Sequence, residues 1–478
     1  MRFIPRNCCV HSRTPHSSVF VRLAYEPFYE FAQFLRRHHI WDVPKKCFCI
    51  TITKTISGEA KLDKLVIRGG KRLKGSVTVS GSKNAALPIM AATLLAPGEH
   101  ILRNVPHLRD VSTMGRLLAN LGAGFHLEKN RAILDCSEIK NHEAPYDLVS
   151  TMRASVLVLG PLVARLGKAK VSLPGGCAIG ARPINLHLMG LEKMGATITL
   201  DAGYVIVRAK KLKGASISLD MPTVTGTENI LMAAVLADGK TLIENAAREP
   251  EVVDLADALI AMGAKIKGAG ESIIEVEGVK KLKPLRHAVI PDRIETGTFM
   301  AIAGITGADI TLRNSRADHL DAVMNKLKDT GMTFKPAGKS IRVIGPERLK
   351  AVSTTTMPYP GFPTDMQAQL MAMMCLAEGA SVISEKIFEN RFMHVAELKR
   401  MGADITIEGG IATVKGVKKL KGAPLMATDL RASASLIVAA LAAEGETSVS
   451  RIYHLDRGYE RIEEKLQSLG ADITREKE

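Results

Sequence analysis

The chain has 478 residues, of which 46% are hydrophobic and 24% charged, and its formal net charge is +16 at pH 7. This composition is typical of a globular protein of about two to four domains and excludes a collagen, a disulfide miniprotein and a disordered tail. The basic excess allows nucleic acid, an anionic membrane or an acidic small substrate as a partner. No uncharged apolar stretch reaches the ~18 residues that a membrane span requires.

Residues 1–61 differ in composition from the rest of the chain. They contain four of the seven cysteines, six of the twelve phenylalanines and Trp41, the only tryptophan. We interpret them as an amino-terminal extension that is disordered or results from a misassigned gene start. Several arginines before the first acid, Glu26, leave an organellar transit peptide as the alternative.

The extension also contains the residues from which a metal site could be drawn. Cys8, Cys9, Cys47 and Cys49, with His38 and His39 nearby, match no zinc-ligand spacing well. We therefore predict no metal site. The irregular cysteine spacing indicates reduced thiols and a reducing compartment.

One structural unit recurs six times from residue 90 onward. In each copy a small-residue helix ends at a glycine, a strand follows, and a second helix ends at another glycine; successive copies are 66 to 73 residues apart. Glycine just past a helix is the expected C-cap because it adopts a left-handed conformation without strain. Six units rich in strands and helices predict an α/β protein. The capping glycines are Gly98, Gly122, Gly167, Gly195, Gly239, Gly263, Gly307, Gly331, Gly379, Gly402, Gly445 and Gly470.

The last unit is incomplete, since only four residues follow its strand 471–474. A strand and a basic turn of the missing type stand at the other end, in residues 65–68 and 71–74. The start of the chain is therefore expected to complete the last unit. Dividing the units three and three predicts one domain from residues 62–82 plus 292–478, and an inserted domain from residues 83–291.

Polar residues stand where each unit enters its small-residue helix. Lys83, Arg153 and Arg431 are cations at this position, although helix N-termini disfavour positive charge. An anionic ligand lying between them would explain the arrangement. The alternative is that each cation pairs with a neighbouring acid on a solvated face.

Three aspartates, Asp292, Asp365 and Asp429, occupy the same junction in other units. Aspartate near a helix start is an ordinary N-cap. Spacing alone identifies none of the three as a catalytic base.

The segment 173–183 contains two prolines and three glycines, which predicts an irregular loop able to act as a lid. Cys177 lies in it five residues before Arg182, and a nearby cation favours the reactive thiolate. We predict Cys177 as the reactive thiol. Cys136 and Cys375 are expected to be buried and inert.

Several long motifs occur in an order that we recognise. Residues 62–478 closely resemble the UDP-N-acetylglucosamine 1-carboxyvinyltransferase family of enolpyruvyl transferases. Leu62 stands where family members commonly have their initiator Met, in keeping with a misassigned start. The matching motifs are Gly81-Ser-Lys-Asn-Ala85, Pro174-Gly-Gly-Cys-Ala-Ile-Gly-Ala-Arg-Pro183, Asn245-Ala-Ala-Arg-Glu-Pro250, Pro291-Asp-Arg-Ile-Glu-Thr-Gly297, Phe362-Pro-Thr-Asp-Met-Gln-Ala-Gln369, Glu389-Asn-Arg-Phe-Met-His394, Asp429-Leu-Arg-Ala-Ser433 and Asp456-Arg-Gly-Tyr459.

The resemblance implies a fold and a reaction. The fold is a two-domain inside-out α/β barrel with three repeats in each domain. The reaction transfers the enolpyruvyl group of phosphoenolpyruvate to the 3′-hydroxyl of UDP-N-acetylglucosamine, through a tetrahedral ketal and with release of phosphate. It begins peptidoglycan precursor synthesis in the bacterial cytoplasm, and the implied partners are these two substrates, with no cofactor, metal or nucleic acid.

The resemblance also implies roles for individual residues. Cys177 occupies the place of the proposed proton donor and Asp365 that of the proposed base, while Lys83 and Arg457 complete the catalytic set. The implied phosphoenolpyruvate-binding residues are Lys83, Asn84, Arg182, Arg431 and Arg457. The implied sugar-nucleotide contacts are Asn84, Arg153, Arg182, Pro183, Ile184, Asn185, Leu186, Pro222, Thr223, Val224, Thr225, Asp365 and Ile387.

Two departures from the family pattern leave the nucleotide contacts open. Asn185 stands where Asp is frequent, and residues 223–225 vary the neighbouring loop.

Three other functions are alternatives to the implied reaction. The shikimate-pathway enolpyruvyl transferase lacks the cysteine loop; a nucleic-acid binder is disfavoured by an aromatic content of 4%; a repeat scaffold would not need distinct polar residues at each junction.

Overall fold

The computed structural model describes residues 63–173 and 184–478, and residues Lys61–Glu478 form one compact unit. The interpretations of the amino-terminal extension, including its gene start, transit peptide and cysteines, lie outside the described residues. Among those that are described, no helix combines the length and apolar character needed to cross a membrane.

The described residues form short strands, most of them five residues long, as the alternating hydrophobic pattern of each hairpin predicts. The strands are Asp63–Arg68 (β1), Lys74–Thr78 (β2), Glu99–Arg103 (β3), Gly124–Glu128 (β4), Arg131–Asp135 (β5), Glu143–Ala144 (β6), Lys168–Ser172 (β7), Thr197–Asp201 (β8), Tyr204–Arg208 (β9), Ser216–Ser218 (β10), Lys240–Glu244 (β11), Lys265–Lys267 (β12), Ile273–Glu277 (β13), Arg286–Ala288 (β14), Asp309–Arg313 (β15), Thr333–Ala337 (β16), Ser340–Ile344 (β17), Thr354–Thr355 (β18), Ala380–Ser384 (β19), Asp404–Glu408 (β20), Ile411–Lys415 (β21), Pro424–Met426 (β22), Glu446–Ser450 (β23) and Asp472–Lys477 (β24).

Helices alternate with these strands along the described chain. The α-helices are Lys83–Ala92 (α1), Arg109–Leu121 (α2), Tyr146–Val149 (α3), Leu159–Leu166 (α4), Asn185–Lys193 (α5), Val224–Ala234 (α6), Pro250–Ala261 (α7), Arg293–Thr306 (α8), Asp321–Lys328 (α9), Gln367–Met374 (α10), Val395–Arg400 (α11), Leu430–Ala442 (α12) and Ile462–Ser468 (α13). Short 3₁₀ helices span Thr93–Leu95, Arg153–Val158, Ala317–His319, Thr364–Met366 and Ile452–Arg457.

The strands form six four-stranded sheets of one design. In each sheet one outer strand runs parallel to its neighbour, and the other two pairings are antiparallel. This repetition agrees with six copies of one unit and confirms the α/β class. The strand orders are β14-β3-β5-β4, β6-β7-β9-β8, β10-β11-β13-β12, β16-β17-β15-β2, β18-β19-β21-β20 and β22-β23-β1-β24.

The sheet of the last unit takes a central strand from the start of the chain. Leu65 of β1 pairs with Val449 of β23 on one side and with Arg475 of β24 on the other, both antiparallel. The strand predicted to be missing from the last unit is thus supplied by β1, which confirms that the two ends of the described chain meet.

The predicted helix caps are confirmed at seven of the twelve repeat glycines. Gly122, Gly167 and Gly307 are C-caps, and Gly195, Gly263, Gly402 and Gly470 directly follow one. The cap prediction is wrong for Gly98, Gly239, Gly331, Gly379 and Gly445, which stand beyond the C-cap in the turn that leads to the next strand. All twelve have a positive φ, from 61° at Gly307 to 111° at Gly98, which glycine adopts at little cost because it has no Cβ.

Two hydrophobic clusters organise the compact unit. The first core lies within residues 85–289 and the second within residues 65–79 and 294–473. Each contains three of the six sheets, which agrees with the expected domain bounds, although the division into domains stays a prediction. In the second core α8, α10 and α12 contact one another, and glycines permit the close approach: a Cβ at Gly297 would lie 2.6 Å from the Sδ of Met366.

The chain passes between the two cores in two adjacent crossings. The N–H of Ser82, just before α1, donates to the carbonyl of Ile290 at 2.7 Å. Gly81 lies so close to Asn104 that a Cβ on it would stand 1.6 Å from the Asn104 carbonyl oxygen. A residue without a side chain is therefore required at position 81, directly before the cap residue Ser82 of the helix that begins with Lys83.

Gly81→Ala is expected to lower the free energy of unfolding by about 1–3 kcal/mol, because overpacking forces the backbone of Asn104 to move. Gly124→Ala is the matched control, since the nearest atom to its Cβ would be the Cβ of Asp135, at 3.3 Å. Urea unfolding of both variants and the wild type measures the difference. An equal loss in the two variants would contradict the steric explanation.

Candidate active site

Lys83 and Arg457 flank one buried carboxylate, that of Asp110. Lys83 begins α1, whose N-terminus is capped by the hydroxyl of Ser82. Its Nζ donates to Oδ2 of Asp110 at 3.2 Å, and Nε of Arg457 donates to Oδ1 at 2.9 Å. The Asp110 side chain is 4% exposed. Burial would raise the pKa of Asp110, but the charges of Lys83 and Arg457 lower it, so the carboxylate is ionised.

Asp365 lies between two arginines. It is in the 3₁₀ helix that precedes α10, and its two carboxylate oxygens accept hydrogen bonds from Arg391 at 2.7 Å and from Arg431 at 2.8 Å. Burial alone would raise the pKa of Asp365, but the two guanidinium groups hold it well below its usual value. A carboxylate stabilised in this way accepts a proton only where these ion pairs are weakened.

The N-cap interpretation is right for two of the three junction aspartates. Asp292 accepts from the N–H groups of Ile294 and Glu295, and Asp429 caps α12 in the same way. For Asp365 it is wrong, because its side chain turns away from its own helix toward Arg431. That position therefore has a charge-pairing role that helix capping does not explain.

Two of the three cations at helix starts, Lys83 and Arg431, are paired with acids, as the alternative interpretation held, but these pairs are not on a solvated face. Arg431 is 4% exposed and Lys83 has a side chain that is 12% exposed. Arg431 also donates to the hydroxyl of the buried Tyr459 at 3.3 Å. Buried ion pairs of this kind cost desolvation energy, so they are weak candidates for a purely stabilising role.

A second group of side chains holds the first turns of α6. His187 on α5 is hydrogen-bonded to Asn229 at 3.0 Å and to Thr225 at 3.2 Å. Burial, aided by the charge of Arg153, lowers the pKa of His187 to about 4. The imidazole is therefore neutral at pH 7. Thr223 caps the same helix by accepting from the N–H of Gly226.

Glu385 connects the Asp365 segment with Ile387. One carboxylate oxygen accepts from the hydroxyl of Thr364 at 2.8 Å, and the other accepts from the N–H of Ile387 at 2.8 Å. Because Thr364 precedes Asp365, the two predicted sugar-nucleotide residues Asp365 and Ile387 are fixed relative to each other.

Of the remaining predicted residues, the structure describes all but three. Asn84 follows Lys83 in α1, Arg153 begins a 3₁₀ helix, and Asn185 begins α5 with Ile184 before it. Leu186 continues α5, and Pro222 and Val224 flank the cap residue Thr223. Cys177, Arg182 and Pro183 lie outside the described residues. No group of His, Cys, Asp or Glu within residues 63–173 and 184–478 is arranged to hold a metal ion.

The two cysteines predicted to be inert are buried. Cys136 and Cys375 are both 0% exposed, and burial raises the pKa of Cys375 to about 12. Neither forms a thiolate near neutral pH without a large cost. This prediction is confirmed.

Sequence reasoning missed Asp110, Arg391, His187 and Glu385. Arg391 lies within one of the recognised motifs, and this is its only sequence signal. Asp110 is 347 residues from Arg457 along the chain, and no spacing rule connects residues so far apart.

Comparison with known proteins gives consistent results. The family model described as EPSP synthase (3-phosphoshikimate 1-carboxyvinyltransferase) matches residues 67–466. Proteins named UDP-N-acetylglucosamine 1-carboxyvinyltransferase are 65% identical in Thermodesulfovibrio yellowstonii and 63% identical in Geotalea daltonii; each match covers 87% of this chain and 100% of the relative.

Solved structures share the fold. The enolpyruvyl transferase NikO from Streptomyces tendae has a TM-score of 0.79 at 27% identity, and an EPSP synthase from Acinetobacter baumannii has a TM-score of 0.68 at 22% identity. Both comparisons cover 87% of this chain and 100% of the other. The chain belongs to the UDP-N-acetylglucosamine 1-carboxyvinyltransferase family of enolpyruvyl transferases.

Proposed function

We propose that the chain transfers the enolpyruvyl group of phosphoenolpyruvate to the 3′-hydroxyl of UDP-N-acetylglucosamine, releasing phosphate in the first committed step of peptidoglycan precursor synthesis. The observation that supports this function is a sequence identity of 60–65% with relatives of that name over nearly their full length. We place the reaction in the bacterial cytoplasm, in line with these bacterial relatives.

The reaction needs cations around a highly charged pair of substrates. Phosphoenolpyruvate and the nucleotide diphosphate are both anionic. Lys83 and Arg431 stand at helix starts, and Arg457 ends a 3₁₀ helix. We assign Lys83, Asn84, Arg182, Arg431 and Arg457 to phosphoenolpyruvate. Cations held in a buried site stabilise the leaving phosphate more strongly than the same charges in water.

The chemistry is an addition followed by an elimination. The 3′-oxygen adds to C2 of phosphoenolpyruvate as C3 takes a proton, which gives a tetrahedral ketal; phosphate then leaves C2 and a proton leaves C3, restoring the double bond. Asp365 is proposed to take the hydroxyl proton and Cys177 to supply the proton to C3. Because Arg391 and Arg431 hold the pKa of Asp365 low, substrate binding has to weaken at least one of these ion pairs before the base acts.

The nucleotide sugar is proposed to lie along the junctions of the first core. Arg153, the loop Pro222–Thr225 and residues 182–186 would contact it, with Asp365 and Ile387 on the side of the second core. The neutral His187 supports this surface by fixing Thr225, which varies from the common family pattern.

The acceptor distinguishes this function from that of the shikimate-pathway enzyme. The full chain is expected to release phosphate from phosphoenolpyruvate when UDP-N-acetylglucosamine is present and not when shikimate 3-phosphate is present. A phosphate-release assay with each acceptor measures this. Release only with shikimate 3-phosphate would overturn the proposed substrate, and silence with both would overturn the enzymatic assignment.

Cys177→Ala is expected to reduce kcat by at least about 100-fold if Cys177 is the general acid. Cys375→Ala is the matched control, because this thiol is buried and touches none of the predicted site. Turnover of the two variants is compared in the same phosphate-release assay. Full activity of Cys177→Ala would remove this residue from the mechanism.

Asp365→Asn is expected to lower the free energy of unfolding at pH 7 by about 3 kcal/mol, because it leaves two buried guanidinium groups without their counter-charge. The folded-state pKa of Asp365 is depressed, so the wild-type advantage is complete above about pH 3.8 and shrinks as the pH falls through the folded-state value. Urea unfolding of the wild type and of Asp365→Asn at pH values between 7 and 3 measures this difference in the free energy of unfolding.

Asp309→Asn serves as the control for this measurement. Asp309 pairs with Arg342, but their side chains are 39% and 51% exposed, so its loss is expected to stay below about 1 kcal/mol. A difference between wild type and Asp365→Asn that does not depend on pH would contradict the charge-pairing explanation.

A further inference from the structure

The carboxylate of Asp110 connects the two cores at the predicted phosphate site. Asp110 lies on α2 and its partner Lys83 on α1, and both helices pack in the first core. Arg457 ends a 3₁₀ helix of the second core. Besides the bond from Nε, Nη2 of Arg457 lies 3.3 Å from Oδ2. One oxygen is therefore shared by Lys83 and Arg457, and the other faces Arg457.

Acidic side chains on either side of Arg457 make hydrogen bonds of their own. Asp456 accepts from both terminal nitrogens of Arg475, at 2.7 Å and 3.1 Å, and Glu460 accepts from the N–H of His107 at 3.0 Å. The guanidinium group at the end of this anchored segment is then oriented by Asp110. The position of the Arg457 head group thus depends on a residue of the other core.

The charges of this cluster suit a phosphate ester. Two cations surround one carboxylate, which leaves the cluster with one net positive charge in a setting where Lys83 and Asp110 are nearly buried. The carboxylate orients the two donors, and it also competes with an incoming phosphate for their N–H groups. Orientation of the donors by Asp110 favours turnover, whereas competition by its carboxylate weakens the binding of phosphoenolpyruvate.

We propose that Asp110 is a positioning residue of this enzyme: its carboxylate aligns Lys83 and Arg457 across the two cores and is the internal anion with which the phosphate of phosphoenolpyruvate competes. The inference rests on the proposed function, since it concerns the same substrate. Asp110 touches two proposed substrate-binding groups and acts through them.

The two effects predict a distinctive kinetic result for Asp110→Asn, which keeps the shape and removes the charge. Loss of alignment is expected to reduce kcat about 10- to 100-fold, because small displacements of catalytic groups are costly. Loss of the competing anion is expected to leave the KM for phosphoenolpyruvate unchanged or lower it. A residue that merely stabilised the fold would change the melting temperature without this split between kcat and KM.

The experiment is steady-state phosphate release by the full chain, with UDP-N-acetylglucosamine saturating and phosphoenolpyruvate varied. The matched control is Asp254→Asn, because Asp254 is equally buried and its carboxylate accepts from His287 and from the N–H of Ile290, neither of which is a predicted site residue. It is expected to keep the wild-type kcat and KM. Circular dichroism and thermal melting establish that each variant is folded.

Asp110→Glu provides the second variant, since it keeps the charge but moves it. If Asp110→Asn does not fold, this variant decides the question: a kcat reduced at least about tenfold without a raised KM supports the proposal, and any other result for it overturns the proposal. For a folded Asp110→Asn the same criterion holds. A wild-type chain that is silent with both acceptors refutes the proposed function instead, so the two failures are distinguishable.

Discussion

The pairing of β1 with β23 and β24 is the constraint on which the rest of the structure depends. Because this pairing places the start of the compact unit in the second core, the chain must leave for the first core and later return. The two crossings lie together at residues 80–82 and 290–292, and α1 begins with Lys83 directly after the first of them. Lys83, which follows the first crossing, therefore lies near Arg457 of the second core, and both contact Asp110.

Charge compensation is the second organising feature. Two aspartates, Asp110 and Asp365, each hold two cations in largely buried surroundings. Desolvation makes such pairs costly, and apolar replacements of similar volume are often as stable. Their presence is better explained by a reaction that binds phosphate and moves protons. In the proposed reaction both carboxylates keep cations oriented, and both share those cations with an anionic substrate.

The features that could be predicted from the sequence are the local ones. The repeat glycines specify, through the conformation of one residue, where the chain turns after a helix, and the missing strand of the last unit was evident from the pattern itself. The N-caps Asp292 and Asp429 follow from side-chain bonds within three residues. Asp365 breaks the same rule because its partner Arg431 lies 66 residues away. Asp110 and His187 escaped prediction for this reason, since only folding brings their partners close.

The central position of β1 also bears on how the protein is made. Arg68 at the end of β1 bonds to Glu446 of β23, 378 residues later. At a synthesis rate of about 5–20 residues per second, β1 leaves the ribosome roughly 20 to 75 s before its partner exists. The first core has all of its strands long before that. Biosynthesis therefore favours an order in which the inserted segment folds first and the second core closes only once β23 and β24 have been synthesised.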